Sequence, residues 1–216
     1  MTARDEILAR VRRGVAKGDV AQRKAAALAV LAERQRGPQP VLAGSLVERF
    51  RSKAESLSSS VAVVGDHDGA PAAVAHYLDS QELSREIVVS PELAALDWAA
   101  QGLRSVARGA VDADRVGVTG CFCAVAETGT LMLLSGPQTP ATVSLLPETH
   151  VALVDAGRIV ATMEDAFALL RAEHGNVPRA VNFISGPSRT GDIEQTIVLG
   201  AHGPCRVHLI LIGSQS

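Results

Sequence analysis

The sequence predicts an α/β domain built on a mainly parallel sheet. Three observations carry that prediction. Short β-branched runs alternate with stretches of helical periodicity, a spacing that gives βαβ units. Residues 131–134 are four apolar residues in a row, which need burial on both faces and suit a central strand of a covered sheet. Aromatic residues are only 3% of the chain against 47% hydrophobic, so the core is built mainly from Ala, Val, Leu and Ile, which pack helices closely on a sheet.

In chain order, Ile7, Leu8, Val11 and Val15 form one helical stripe and Val20, Ala27, Leu28 and Leu31 a second, ending at Gly37-Pro38. These helices read as an N-terminal arm, residues 1–40, ahead of an α/β domain, residues 41–216. Ser45 and Glu48 have capping-box spacing before a helix with Phe50, Ala54 and Leu57 on one face. A strand at 61–64, a turn at 65–69 and a helix through Leu78 follow. A second strand covers 87–89, and Ser90-Pro91 opens another helix as cap and first residue. Strands follow at 116–119 and 130–134, separated by the glycine turns at Gly120 and Gly129. Residues 143–146 and 151–154 read as strands, Thr162 caps a helix bearing Met163, Phe167 and Leu170, and 181–184 is a strand. The segment 185–192 leads into a short helix reaching Leu199, and 207–212 is the last strand.

Composition excludes several functions. The net charge is −2, which gives no global field toward nucleic acid, and so few aromatics argue against a base-stacking platform. The charge is uneven: residues 1–36 carry nine Lys/Arg against four Asp/Glu, or +5, leaving −7 for the rest. Solvated helices explain this, as does a basic arm that docks an acidic partner or subunit. No apolar run approaches the ~20 residues of a membrane span, so no membrane insertion is expected. The N-terminus has no apolar signal core, and Cys121, Cys123 and Cys205 cannot all pair within one chain; both point to a cytoplasmic protein with free thiols. Cys121-x-Cys123 with Cys205 lacks the four soft ligands of usual zinc or cluster sites, so no metal and no cofactor are expected. Walker A, G-x-S-x-G and post-strand G-x-G-x-x-G patterns are missing.

The candidate site residues lie in three places. Glu127, between two glycine turns and just before a strand, is a carboxylate suited to nucleophile or base chemistry, or to satisfying turn amides. Gly186, Ser188, Arg189, Thr190 and Asp192 form an anion cradle: small residues after a strand, a helix start, and a forked donor for carboxylate or phosphate. The structural alternative is helix capping, with Arg189 paired to Asp192 or Glu194. His202 and His150 sit at turns, where a histidine is either structural or a proton carrier.

Taken together, Ala126 to Thr130, Ser144 to Pro147, Gly186 to Glu194 and Gly200 to Pro204 resemble, in order, the motifs of the lactate-utilisation (LUD) domain family. The resemblance covers about residues 41–212, and the helical start is similar to that family's variable N-terminal extension. It implies a fold like that of the sugar-phosphate isomerase and CoA-transferase superfamily, with helices on both faces of the sheet. It also implies a role in bacterial L-lactate oxidation beside iron–sulfur partner proteins. Glu127-Thr128-Gly129 is similar to the catalytic E-x-G turn of class I CoA-transferases, which keeps open a free-standing isomerase- or CoA-transferase-like enzyme; a ligand-binding regulator is a third reading. On topological grounds Glu127, Arg189 and His202 are expected to meet in one cleft, because Arg189 follows the strand at 181–184 and ligands bind at the carboxyl ends of parallel strands.

Overall fold

The computed structural model describes residues 2–15, 19–33, 36–39, 41, 44–190 and 198–213. The chain divides into two compact units, Met1–Val41 and Leu42–Ser216. The first unit holds α1 (Ala3–Gly14) and α2 (Val20–Glu33). A reciprocal capping box between Thr2 and Asp5 starts α1. Neither helix buries a residue, and Val11, Leu28 and Leu31 of the two apolar stripes are more than half exposed.

The second unit begins with α3 (Leu46–Ser56), whose cap Ser45 accepts from the Glu48 amide. It continues through β1 (Ser60–Val64), α4 (Ala70–Ser80), β2 (Glu86–Val89), β3 (Arg104–Ala107) and β4 (Val116–Thr119). Then come β5 (Cys123–Val125), β6 (Thr130–Leu134), α5 (Thr142–Leu145), β7 (Thr149–Asp155), β8 (Ile159–Val160) and α6 (Met163–His174). The last elements are β9 (Val181–Ile184), β10 (Arg189–Thr190), β11 (Val198–Leu199) and β12 (Arg206–Ile212). Six strands form a wholly parallel sheet in the order β1-β12-β7-β4-β2-β3. One face packs Val116, Val118, Val151, Leu153 and Ile210 against Val74 and Leu78 of α4. The other packs Ala152, Val154, Leu209 and Leu211 against Phe50 and Ala54 of α3 and against a second sheet.

That second sheet, in the order β8-β5-β6-β9, is mixed, and it is where sequence and structure part. The run at 131–134 is covered on both sides as expected: Leu131 and Leu133 face the parallel sheet, and Met132 faces Ala166 and Leu170 of α6. Its neighbours β5 and β9 are antiparallel to it, however, so β9 is not a strand of the parallel sheet. Residues 143–146 are helical rather than extended: the Leu146 amide bonds the Thr142 carbonyl, Val143 is buried, and Leu145 and Leu146 face solvent. Four apolar residues are too few for periodicity to separate strand from helix. Pro91–Leu93 is one turn of 3-10 helix, and the Ser90 side chain makes no cap bond. Residues 198–199, where the expected helix was to end, form β11, which pairs antiparallel with β10; residues 191–197, with Asp192 and Glu194, lie outside the described residues.

Candidate functional site

Of the anticipated site residues, Glu127, Gly186, Ser188, Arg189, Thr190 and His202 lie toward the amino-terminal edge of the parallel sheet, and Asp192 falls outside the described residues. β5 descends from that sheet's carboxyl edge, and Glu127 lies in the hairpin that returns the chain into β6, its amide bonded to the Ala161 carbonyl. Thr128 Oγ1, Thr130 Oγ1 and Ser185 Oγ form a chain of hydroxyls at 2.8 and 2.7 Å that ties this hairpin to the end of β9. Both segments then lie against the end of α3. Gly129 (φ +65°) and Gly186 (φ +80°) approach so closely that an added Cβ would sit 2.6 Å from the Ala54 nitrogen and 2.3 Å from the Leu57 carbonyl oxygen. Arg189 donates to the Leu57 carbonyl and to Ser58 Oγ, placing a cation where the α3 carbonyls end. The Ser188 amide bonds the Pro204 carbonyl and its carbonyl accepts from Gly200, which brings the exposed His202 turn beside it. Ser188, Arg189 and the His202 turn are therefore neighbours. Among the described residues no hydrogen bond or ion pair joins Glu127 to Arg189 or His202. Because β9 runs antiparallel to β6 in the second sheet, its carboxyl end lies at the edge where β7 and β12 begin, opposite to the edge inferred from a parallel arrangement.

The carboxyl edge of the parallel sheet carries a different constellation. A cleft of about 200 Å3 opens where β2 and β4 end, between the parallel sheet, α5 and the tops of β6 and β9. Ser90 and Thr119 lie in it, 1% and 3% exposed. Ser90 Oγ has no hydrogen-bond partner among the described residues. Thr119 Oγ1 lies 2.8 Å from Nε2 of His150, a fully buried ring whose Nδ1 is also unpartnered. Burial lowers the His150 pKa to about 4, so the ring is neutral at physiological pH.

Glu92 stands at the rim. Much of this residue remains exposed, but its carboxyl is tucked against Gly120, whose amide donates to Oε1 at 3.1 Å. Desolvation raises the carboxyl's pKa above the usual carboxylate range, against the pull of that amide. Gly120 makes the approach possible, since a Cβ there would lie 2.7 Å from Glu92 Oε1. Beyond Glu92 and Cys121 a second hollow, about 310 Å3, is bordered by His67, Asp155 and Arg158. Arg158 is already engaged: it bonds the Phe122 carbonyl at 2.5 Å, pairs with both oxygens of Glu173 and lies 4.8 Å above the Phe122 ring. No group of three or more metal-ligating side chains occurs among the described residues. Sequence reading passed over Ser90, Glu92 and Thr119. Their signal was position, at or within three residues of the carboxyl ends of parallel strands, where open α/β sheets bind ligands.

Fold and cleft define an open-sheet α/β protein with a crevice at the carboxyl edge of its parallel sheet. The chain belongs to the LUD domain family, whose sequence model matches residues 3–212 and so takes in the N-terminal helices as well. It is 32% identical over 161 residues to lactate utilization protein C of Anoxybacillus flavithermus, covering 74% of this chain and 71% of that protein. It is 39% identical over 103 residues to lactate utilization protein C of Bacillus subtilis, 46% of this chain and 43% of that one. An uncharacterized protein of Neisseria meningitidis, NMB1437, is 42% identical over 88 residues, 41% of this chain and 38% of that protein. A DUF162 family crystal structure from Deinococcus radiodurans shares the fold, with a TM-score of 0.63 over 81% of this chain and 100% of that one at 23% identity.

Proposed function

We propose that this chain serves in lactate utilisation, as a cytoplasmic component of an L-lactate-oxidising system whose partner subunits carry iron–sulfur clusters. The observation that supports the reading is the 32% identity, spread over 74% of the chain, to a protein named for lactate utilisation. In this reading the redox groups belong to the partners, since three cysteines fall short of the four thiolates that usually hold a cluster. The basic N-terminal helices, with their uncovered apolar stripes, are the docking element. Deleting the gene should abolish growth on L-lactate while sparing growth on glucose, and the intact gene should restore it. Full-length chain should co-purify with iron-bearing subunits, and a chain lacking residues 1–40 should not. Undiminished growth of the deletion strain on lactate would sink the proposal.

A further inference from the structure

We propose that the cleft at the ends of β2 and β4 binds a compact, oxygen-bearing molecule with at most one negative charge. The Ser90 and Thr119 hydroxyls hold it by a carbonyl or carboxyl oxygen. The cleft's geometry carries the assignment, and the choice of lactate and pyruvate among such molecules rests on the lactate reading.

The two hydroxyls are placed by the ladder. Val89 pairs with Val118, and the Ser90 amide bonds the Val118 carbonyl, so the register continues to put Ser90 beside Thr119 on one face of the sheet. Both lie in the same cleft and both are buried. A buried hydroxyl without a partner costs free energy comparable to a lost hydrogen bond, so the unpaired Ser90 Oγ marks a place where a ligand acceptor or a water is due.

His150 decides which way Thr119 donates. The neutral ring carries one proton. A buried N–H without an acceptor is rarer and costlier than an uncovered lone pair, and Nδ1 has no partner. The proton therefore belongs on Nε2, which donates to Thr119 Oγ1. The threonine then turns its own O–H toward the cleft. His150 is a positioning residue, and Ser90 and Thr119 are paired donors for one ligand oxygen.

Charge and size narrow the ligand. Among the described residues the cleft is lined by no Lys or Arg, and its titratable neighbours include Glu92 and His174, so a dianionic phosphate would be left uncompensated. A cavity of ~150 Å3 accommodates benzene, and about 200 Å3 here suits a molecule of similar or slightly greater bulk. Leu133, Leu134 and Pro140 also line the cleft and add apolar surface for a methyl or methylene end. Short 2-oxo and 2-hydroxy acids fit all three conditions.

The test uses purified full-length protein titrated calorimetrically with pyruvate, L-lactate and inorganic phosphate. At least one of the two acids should bind, and phosphate should not. Ser90→Ala and Thr119→Val should each weaken binding about tenfold, the loss of one hydrogen bond to a charged acceptor. His150→Gln, which keeps an N–H for Thr119, should retain binding, whereas His150→Leu should lose it as Thr119→Val does. Without any variant, the methyl of the bound acid should show magnetisation transfer to the Leu133 and Leu134 methyls. Binding of neither acid, preference for phosphate, unchanged affinity in a folded double variant, or no transfer to those leucines would each overturn the site. The lactate reading fails separately, through undiminished growth of the deletion strain, and that result would leave the binding data standing.

Discussion

Gly117 is the position where one methyl group should do most damage. It lies buried in β4, between β2 and β7, with α5 packed over it. A Cβ at Gly117 would lie 2.0 Å from the Val143 carbonyl oxygen and 3.0 Å from Pro147 Cγ. Even a close carbon–oxygen contact needs about 3.3 Å, so in Gly117→Ala the helix would have to retreat by roughly 1 Å. It has little room to do so: Val143 is fully buried, and Thr142 Oγ1 accepts from the Ala110 amide at 3.0 Å. Overpacking of this kind costs about 1–3 kcal/mol, and losing a glycine from the unfolded chain returns about 0.4–1 kcal/mol. The difference, a net loss of about 1.3 kcal/mol at the middle of these ranges, corresponds, in a chain of this length, to a melting temperature lower by roughly 3–5 °C. Thermal unfolding followed by circular dichroism measures it. Gly65→Ala is the control, since a Cβ there meets nothing within 4 Å. Because Ser144 and Ala141 line the cleft beside Val143, ligand affinity should fall with stability. A melting temperature equal to wild type would refute the packing argument.

Three further outcomes are expected. His150 and His208 are buried with pKa values lowered to about 4, in both cases chiefly by desolvation. An unfolded histidine titrates near ~6.5, so below that pH the unfolded chain takes up protons the folded one refuses. Their contribution is full above pH ~6.5 and is lost by on the order of 1.4 kcal/mol per pH unit for each ring as the pH falls toward 4. The urea midpoint should therefore drop between pH 7 and pH 5, less steeply in His208→Gln; equal slopes in the two proteins would contradict this. Burial pushes the Cys123 thiol up to about 11 and raises that of Cys121 as well, and Cys123 Sγ rests 3.7 Å from Met132 Sδ. In the native protein iodoacetamide should reach Cys205 well before either, as read by mass spectrometry, and uniform labelling would show the pair to be open. Glu127→Gln and Arg189→Ala compare the two edges of the sheet: folded variants should keep lactate-dependent growth, with Arg189→Ala melting lower because its bonds to the end of α3 are gone. Loss of growth in both, with folding intact, would move the functional centre to the amino edge.

Much of this molecule is written locally. The β-branched runs at 61–64, 87–89, 116–119 and 207–212 became parallel strands, because a run of such residues is at once a strand former and a demand for burial. Thr162 capped its helix through Asp165, three residues on, a contact that local sequence spacing alone provides. The family resemblance was equally legible, since its motifs are strings of adjacent residues. What the sequence could not specify was which strand lies beside which. The segment 181–184 reads the same whether it joins the parallel sheet or pairs antiparallel with β6, and that pairing decides the edge to which Arg189 is delivered. The cleft shows the same dependence more sharply. Ser90, Thr119 and His150 are separated by 29 and 31 residues and share no motif. They meet because β2, β4 and β7 stand side by side in register, and a site assembled from neighbouring strands exists only once long-range pairing has brought their ends together.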